Sequence, residues 1–186
     1  LSLWILYGVS KEQKFIPIHE LSKKLGETKS EALCGFHAFT GCDTVSAFYS
    51  KGKRSAWRTW TSYEEATDAF LEISRPTEFI EPTVSHTLEI FTLLMYQADP
   101  ELLFMNKGWR DLFSTKPKPM KSLPPTADAF HQHTLRALLQ AGYIWGQADI
   151  HLKEFLKIRS PTELGWMKDG QKLVPKWMTV VRKCRF

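Results

Sequence analysis

The residues best suited to chemistry in this chain lie between Ala32 and Trp57. One acidic residue, Asp43, directly follows a Thr-Gly-Cys turn, and a carboxylate at a turn can bind a hard divalent cation. A second segment, Ser50-Lys51-Gly52-Lys53-Arg54, places small and cationic residues at the predicted start of a helix. Free backbone N–H groups at a helix start, beside Lys and Arg, can bind a phosphate. Together the two segments predict parts of a metal-and-phosphate site, although one carboxylate is too few for two-metal hydrolysis.

These residues also have ordinary structural interpretations. Asp43 before Thr-Val-Ser-Ala-Phe is a typical helix N-cap, and one residue could serve as both cap and metal ligand. The nearby cations spread around more than half of the predicted helix, as on a solvated helix face. They are Lys51, Lys53, Arg54 and Arg58. The phosphate-binding interpretation therefore needs support beyond their charge.

Other residues near these segments fit a core better than a site. Trp57 and Trp60 are expected to anchor the core, because stacking on bases would require exposure. Cys34, His37 and Cys42 are potential zinc ligands, but they lack a Cys-x-x-Cys pair and a clear fourth ligand. We expect Cys34 and His37 to be buried helix residues instead.

The segment that contains Asp43 resembles the end of the catalytic domain in PIN-like nucleases of the flap endonuclease and XPG type. In that family a Gly-Cys-Asp-Tyr element precedes a Gly-Ile-Gly-Pro-Lys-Arg-Ala helical turn that grips the DNA backbone. Residues 41–43 match the first element, and Thr44 stands at its Tyr position. The residues at the first Gly, second Gly, Pro and Lys of the second element are Ser50, Gly52, Lys53 and Arg54.

Nearly the whole chain is similar to a multicopy set of animal proteins that have spread with mobile elements. Those proteins carry Ile-Pro-Ile-His, Leu-His-Ala-Phe-Thr-Gly-Cys-Asp, Gly-Lys-Gly-Lys, Leu-Pro-Pro-Thr and Val-Pro-Trp-Met-Thr sequences in this order. The corresponding residues here are 16–19, 36–43, 50–53, 123–126 and 174–179. The resemblance thus rests on an ordered series of motifs.

These resemblances imply the C-terminal part of an α/β, PIN-like nuclease domain that is mostly helical in this chain. They assign Asp43 as catalytic residue and metal ligand, and Ser50, Gly52, Lys53 and Arg54 to phosphate binding. The family's other metal-binding carboxylates would lie upstream of Leu1. Mg²⁺ or Mn²⁺ would then serve the full-length protein, and this fragment alone is expected to be inactive. The expected partner is nucleic acid, DNA rather than RNA. The alternative function is a non-enzymatic helical interaction or scaffold module.

Composition sets broader limits. A chain of 186 residues with 43% hydrophobic content and seven Trp can bury a real core. The formal charge of +5 weakly favours anionic partners. Three cysteines without framework spacing favour a reducing, intracellular setting, with the nucleus as an option. No membrane segment, dinucleotide loop or nucleophile elbow is visible, so we expect neither a membrane partner nor a small-molecule cofactor.

The chain is predicted to divide at a Pro- and Lys-rich stretch. Residues 1–113 would form the PIN-like part, 114–125 a linker, and 126–186 a helix with an irregular C-terminal extension. Residues 1–7 and 14–18 are predicted to form a hairpin. Predicted helices span 19–25, 30–39, 52–60, 84–97, 100–113 and 126–147.

Four local patterns complete the prediction. Ser62 with Glu65 forms a capping-box pattern, and Thr126 is the predicted cap of the helix that follows it. Two glycines in that helix, 142 and 146, would let another helix approach closely. The histidines at 131 and 133 are expected at the surface. One short strand pair is expected after residue 158.

Overall fold

The computed structural model describes residues 2–98, 105–115, 119–151 and 156–179, and these form a mixed, mostly helical α/β arrangement. The first half contains β1 Trp4–Tyr7, β2 Lys14–Pro17, α1 Ile18–Leu25, α2 Glu27–Glu31, α3 Leu33–Phe39, α4 Lys53–Ser62 and α5 Ala66–Ile73. The second half contains α6 Pro82–Met95, α7 Met105–Thr115, α8 Ala127–Leu138, β3 Trp166–Asp169 and β4 Lys172–Pro175. The part of the predicted 100–113 helix that precedes Met105 lies outside the described residues.

Two antiparallel hairpins supply the strands of the described chain. In the first, β1 pairs with β2 so that Ile5 lies opposite Ile16, which confirms the predicted N-terminal hairpin. In the second, β3 pairs with β4 so that Met167 lies opposite Val174. Gly170, at the turn of this hairpin, has a φ of 58°, a conformation that glycine adopts at little steric cost. The short strand pair predicted after residue 158 is therefore also confirmed.

Most predicted helices are present, with differences at their ends. The helix predicted at 30–39 is interrupted, since α2 ends at Glu31 and α3 begins at Leu33. The predicted capping box at Ser62 is wrong. The Ser62 hydroxyl donates to the carbonyl oxygen of Thr59 inside α4, and α5 begins only at Ala66 without a side-chain cap. By contrast, Thr126 caps α8 as predicted, because its Oγ1 accepts from the N–H of Ala129 at 3.4 Å.

An aromatic cluster forms the centre of the core. Phe36 of α3 stacks on Trp60 of α4 with ring centroids 4.7 Å apart, and Phe70 of α5 meets both rings edge-on. Trp60 is fully buried, as expected of a core anchor. Phe130 of α8, from the segment predicted as a C-terminal extension, packs edge-to-face on Phe39 at 6.0 Å. Residues on both sides of the predicted linker thus contribute to one core.

Helix α8 continues as a π-helical turn at Leu139–Ile144 and a 3₁₀ turn at Trp145–Gln147. Its two glycines meet the chain that leaves α5. A Cβ added at Gly142 would lie 2.6 Å from the carbonyl oxygen of Arg75, and one added at Gly146 would lie 2.1 Å from that of Ser74. A close approach does occur at these glycines, but the approaching segment is the chain that follows α5 and not the other helix that was predicted. No helix in the described parts of the chain is both long enough and apolar enough to span a bilayer.

Candidate phosphate-binding site

The candidate site begins where α3 ends. Thr40 and Gly41 follow the helix, and the φ of Gly41 is 102°, in the left-handed region. A Cβ at Gly41 would lie 2.7 Å from the Cα of Ala47, so both conformation and space require glycine here. The N–H of Cys42 then donates to the carbonyl oxygen of Val45 at 2.9 Å. The chain therefore closes a tight turn around Asp43 instead of entering a helix.

Asp43 lies exposed in this bend, and no helix starts before Lys53. The prediction that Asp43 is a helix N-cap is therefore wrong. The reason is tertiary, because the polar residues that follow it bond to α8 and its continuation instead of forming a helix. The Thr44 hydroxyl donates to Oε1 of Gln140 at 2.5 Å, and the Ser46 hydroxyl lies 3.1 Å from Nδ1 of His133.

Lys53, the first residue of α4, directs its side chain toward the end of α3. Its ammonium Nζ donates to the hydroxyl of Thr40 at 2.7 Å, to the carbonyl oxygen of Gly41 at 2.6 Å, and to the carbonyl oxygen of His37. A cation at a helix C-terminus also interacts favourably with the helix dipole. Lys53 thus ties the start of α4 to the turn that carries Asp43.

The charges of this turn influence one another. Burial lowers the pKa of Lys53 to about 8, and the Cys42 thiol partly offsets this shift. Partial burial also lowers the pKa of His37; Lys53 lowers it further, whereas Asp43 raises it. The His37 imidazole thus feels the charges of both a carboxylate and an ammonium. At neutral pH Lys53 stays largely protonated, as its contacts with three oxygen acceptors require.

The first turn of α4 presents open backbone donors. Gly52, the N-cap residue, has φ −82° and ψ 169°, and no side chain caps the N–H groups of the turn. A Cβ at Gly52 would meet nothing within 4 Å, so this end of the helix is sterically accessible. Ser50 adopts a φ of 56°, a left-handed conformation that glycine adopts at lower steric cost. Arg54 and Arg58, one helical turn apart, are both exposed.

The described residues do not form a metal centre. No group of three or more His, Cys, Asp or Glu side chains among them could hold a metal ion, and Asp43 stands as a single carboxylate. This donor set does not fit a two-metal nuclease site, which needs several clamping carboxylates. Cys34 and His37 are exposed, so their predicted burial is wrong. Helix α3 instead buries Gly35, Phe36, Ala38 and Phe39.

His133 is the site residue whose environment sequence reasoning missed. It was expected at the surface, yet it is 5% exposed, and this prediction is wrong. Its Nε2 donates to the carbonyl oxygen of Phe39 at 2.7 Å, so Nδ1 is free to accept from the Ser46 hydroxyl. Burial lowers the pKa of His133 to about 4. Only its helical spacing with Phe130 could have indicated that it faces the core.

The structure brings some predicted site residues together and separates others. Asp43 and Lys53 are brought near each other, because the Lys53 ammonium bonds to the carbonyl oxygen of Gly41 in the turn that carries Asp43. Lys53 and Arg54 are separated, because the Lys53 side chain is directed at this turn whereas Arg54 faces solvent. No family model, curated protein or solved structure matches this chain.

Proposed function

We propose that this chain binds the sugar-phosphate backbone of nucleic acid at the first turn of α4. The observation that carries the proposal is the open helix start: Gly52 leaves the backbone donors uncapped and accessible, and Arg54 and Arg58 lie exposed beside them. A helix N-terminus with adjacent cations favours phosphate because both its dipole and its N–H groups point at the anion. The overall charge of +5 adds a weak, non-directional attraction.

Within this proposal the residues of the turn have different tasks. Arg54 and the hydroxyl of Ser50 contact phosphate directly, together with the backbone N–H groups that follow Gly52. Lys53 acts as a positioning residue, because its ammonium is engaged by Thr40 and Gly41. Asp43 supplies one carboxylate toward Mg²⁺ or Mn²⁺, and phosphodiester hydrolysis would need further carboxylates that the described residues do not supply.

The test is fluorescence anisotropy with a labelled DNA oligonucleotide at low salt. We expect weak binding whose association constant falls as salt rises, because Lys and Arg release counterions from phosphates. The double variant Arg54→Glu with Arg58→Glu should abolish the signal. Neither residue is buried, so circular dichroism should show an unchanged fold.

The matched control is Lys23→Glu with Lys24→Glu, which changes the net charge equally. Both lysines are exposed on α1, which packs against α2 and β1. This control should retain most of the binding. Equal loss in both double variants would show a diffuse charge effect and contradict a site at α4. Undiminished binding by the α4 variant would also contradict it.

A second candidate function is an interaction module, and the first hairpin favours it. Large apolar side chains on both strands remain exposed, including Leu6 at 51% and Phe15 at 68%, which lie opposite each other. Contiguous apolar surface of this kind is uncommon on a monomer and promotes association. Light scattering should then detect concentration-dependent association that Leu6→Glu with Phe15→Lys removes. A monomer at all concentrations would count against this function.

A further inference from the structure

A groove with aromatic walls is lined in part by residues 46–49, a segment that precedes α4 in the chain. It is bounded by residues 46–49, by the 120–125 segment and by the chain after β4, and its volume is about 280 Å³. Aromatic side chains from three separate parts of the chain line it, namely Phe48, Tyr49, Tyr96 and Trp177. Two of them are available to a ligand, since Tyr49 is 46% exposed and Trp177 is 60% exposed. These rings offer flat surfaces on which a base could stack.

The charge of the groove is positive. None of its described lining residues is acidic, whereas Arg136 and Lys121 both line it. The ammonium of Lys121 lies 5.2 Å from the ring centroid of Tyr49, and that of Lys51 lies 5.0 Å from the ring centroid of Tyr96. Cations therefore accompany the aromatic walls, a combination suited to an anion that also carries a flat, aromatic part.

Arg136 is the most informative of these cations because it is only 2% exposed. Its Nη1 donates to the carbonyl oxygens of Gly165 at 3.1 Å and Lys176 at 2.7 Å, and its guanidinium lies 5.3 Å from the ring centroid of Trp177. No described carboxylate forms an ion pair with it. A buried cation without an anionic partner is costly, and an anionic ligand in the groove would lower that cost.

The groove lies close to the proposed phosphate site along the chain. Tyr49 lines the groove, and Ser50 and Gly52 follow it immediately in the chain. Three residues span at most about 10 Å, so a strand bound at the turn has its next nucleotides within reach of the groove. In a duplex the bases are stacked inside and paired, so only an unpaired base can enter such a groove.

We propose that the groove accepts an unpaired base of the strand whose phosphate binds at α4, so that the chain prefers single-stranded over duplex nucleic acid. This inference rests on the proposed function. Tyr49 and Trp177 stack on the base, while Lys121 and Arg136 attract the adjoining phosphates. Because every base has a flat π-face, the preference depends on strandedness and not on sequence.

The experiment compares labelled oligo(dT) with a DNA hairpin duplex of the same phosphate number, by anisotropy at one fixed salt concentration. The wild-type protein should bind oligo(dT) more tightly. Tyr49→Ala and Trp177→Ala should each weaken oligo(dT) binding about tenfold while leaving duplex binding unchanged. Trp177→Phe, which keeps a flat ring, should retain most of the affinity. Both positions are about half exposed, so melting curves should confirm that the variants fold.

Each result bears on a different claim. Wild-type protein that binds neither DNA overturns the proposed function itself. Equal binding of both DNAs, with both alanine variants unchanged, overturns the groove while leaving the α4 site intact. A single-strand preference that neither alanine variant alters also overturns the groove. Equal weakening on both DNAs would show that the two rings support the backbone site generally and would overturn base stacking.

Discussion

The side-chain ammonium of Lys53 donates to the carbonyl oxygen of Gly41 at 2.6 Å, which connects the start of α4 to the turn that exposes Asp43. The same ammonium also bonds to the Thr40 hydroxyl, so one lysine satisfies acceptors at the end of α3. The turn around Asp43 and the start of α4, the two segments that the sequence indicates as the candidate site, are therefore held together by one side chain.

Lys53→Met should destabilise the fold, because it leaves the acceptors around Thr40 and Gly41 without their donor. Hydrogen bonds to charged groups contribute roughly 1.5–3 kcal/mol each, and partial solvent access reduces the total to the lower end of that range. Chemical denaturation should show this loss, whereas Lys24→Met at an exposed site should change the stability little. An unchanged unfolding free energy combined with lost DNA binding would contradict the positioning role and indicate direct phosphate contact.

His133 should make the protein sensitive to mild acid. Its pKa is about 4 in the folded state against about 6.5 in the unfolded chain, so between these values the unfolded state binds more protons. Stability should consequently fall as the pH drops from about 6.5 to about 4, by up to about 3 kcal/mol. Denaturant titrations across this range measure the effect.

Two single variants test this pH dependence, namely His133→Gln and, as a matched control at an exposed position of α8, His131→Gln. The first variant should be less stable at neutral pH and should lose most of the acid dependence. The second should keep the wild-type profile. If both variants keep the full acid dependence, another group causes it.

Gly146→Ala should destabilise the packing of the α8 continuation against the chain that leaves α5. The new Cβ would lie 2.1 Å from the carbonyl oxygen of Ser74, a backbone atom that cannot easily move. Overpacking of this kind costs roughly 1–3 kcal/mol, which thermal melting can detect. Gly52→Ala is the matched control, because its methyl group meets open space and only a capping preference of under about 1 kcal/mol is lost. Equal melting temperatures for the two variants would contradict this packing.

Mg²⁺ and Mn²⁺ should have little effect on the isolated chain. A ligand at a concentration equal to its Kd raises the free energy of unfolding by about 0.4 kcal/mol. One exposed carboxylate binds these ions too weakly to reach that value at millimolar metal concentrations. Melting temperatures with and without 10 mM metal should therefore agree within about 1 °C. Flap, single-stranded and duplex DNA should remain uncleaved. Metal-dependent cleavage that Asp43→Ala abolishes would contradict this prediction, because it would show that this chain supplies the further metal ligands itself.

Local sequence determined much of the fold, because some backbone conformations depend on few neighbours. The glycine after α1 takes a positive φ, Thr126 caps α8, and both hairpins form where turn residues interrupt apolar runs. The small residues at 142 and 146 also indicated a close approach, although the segment that approaches is the chain after α5 and not a helix. Each of these features follows from the steric or hydrogen-bonding properties of residues adjacent in the chain.

Only the tertiary structure decided how the candidate site is arranged. The local sequence favoured a helix cap at Asp43. The residues that follow it form a loop instead, because they hydrogen-bond to Gln140 and His133, about ninety residues away in the chain. The direction of the Lys53 side chain was equally invisible, because a long flexible cation turns toward whichever acceptors the fold brings near. The exposure of a side chain and the charges near it depend on the folded surface, so they cannot be predicted from the spacing of residues along the chain. The spacing of residues could therefore indicate which segments form the candidate site. Contacts between residues far apart in the chain determine what each side chain does there.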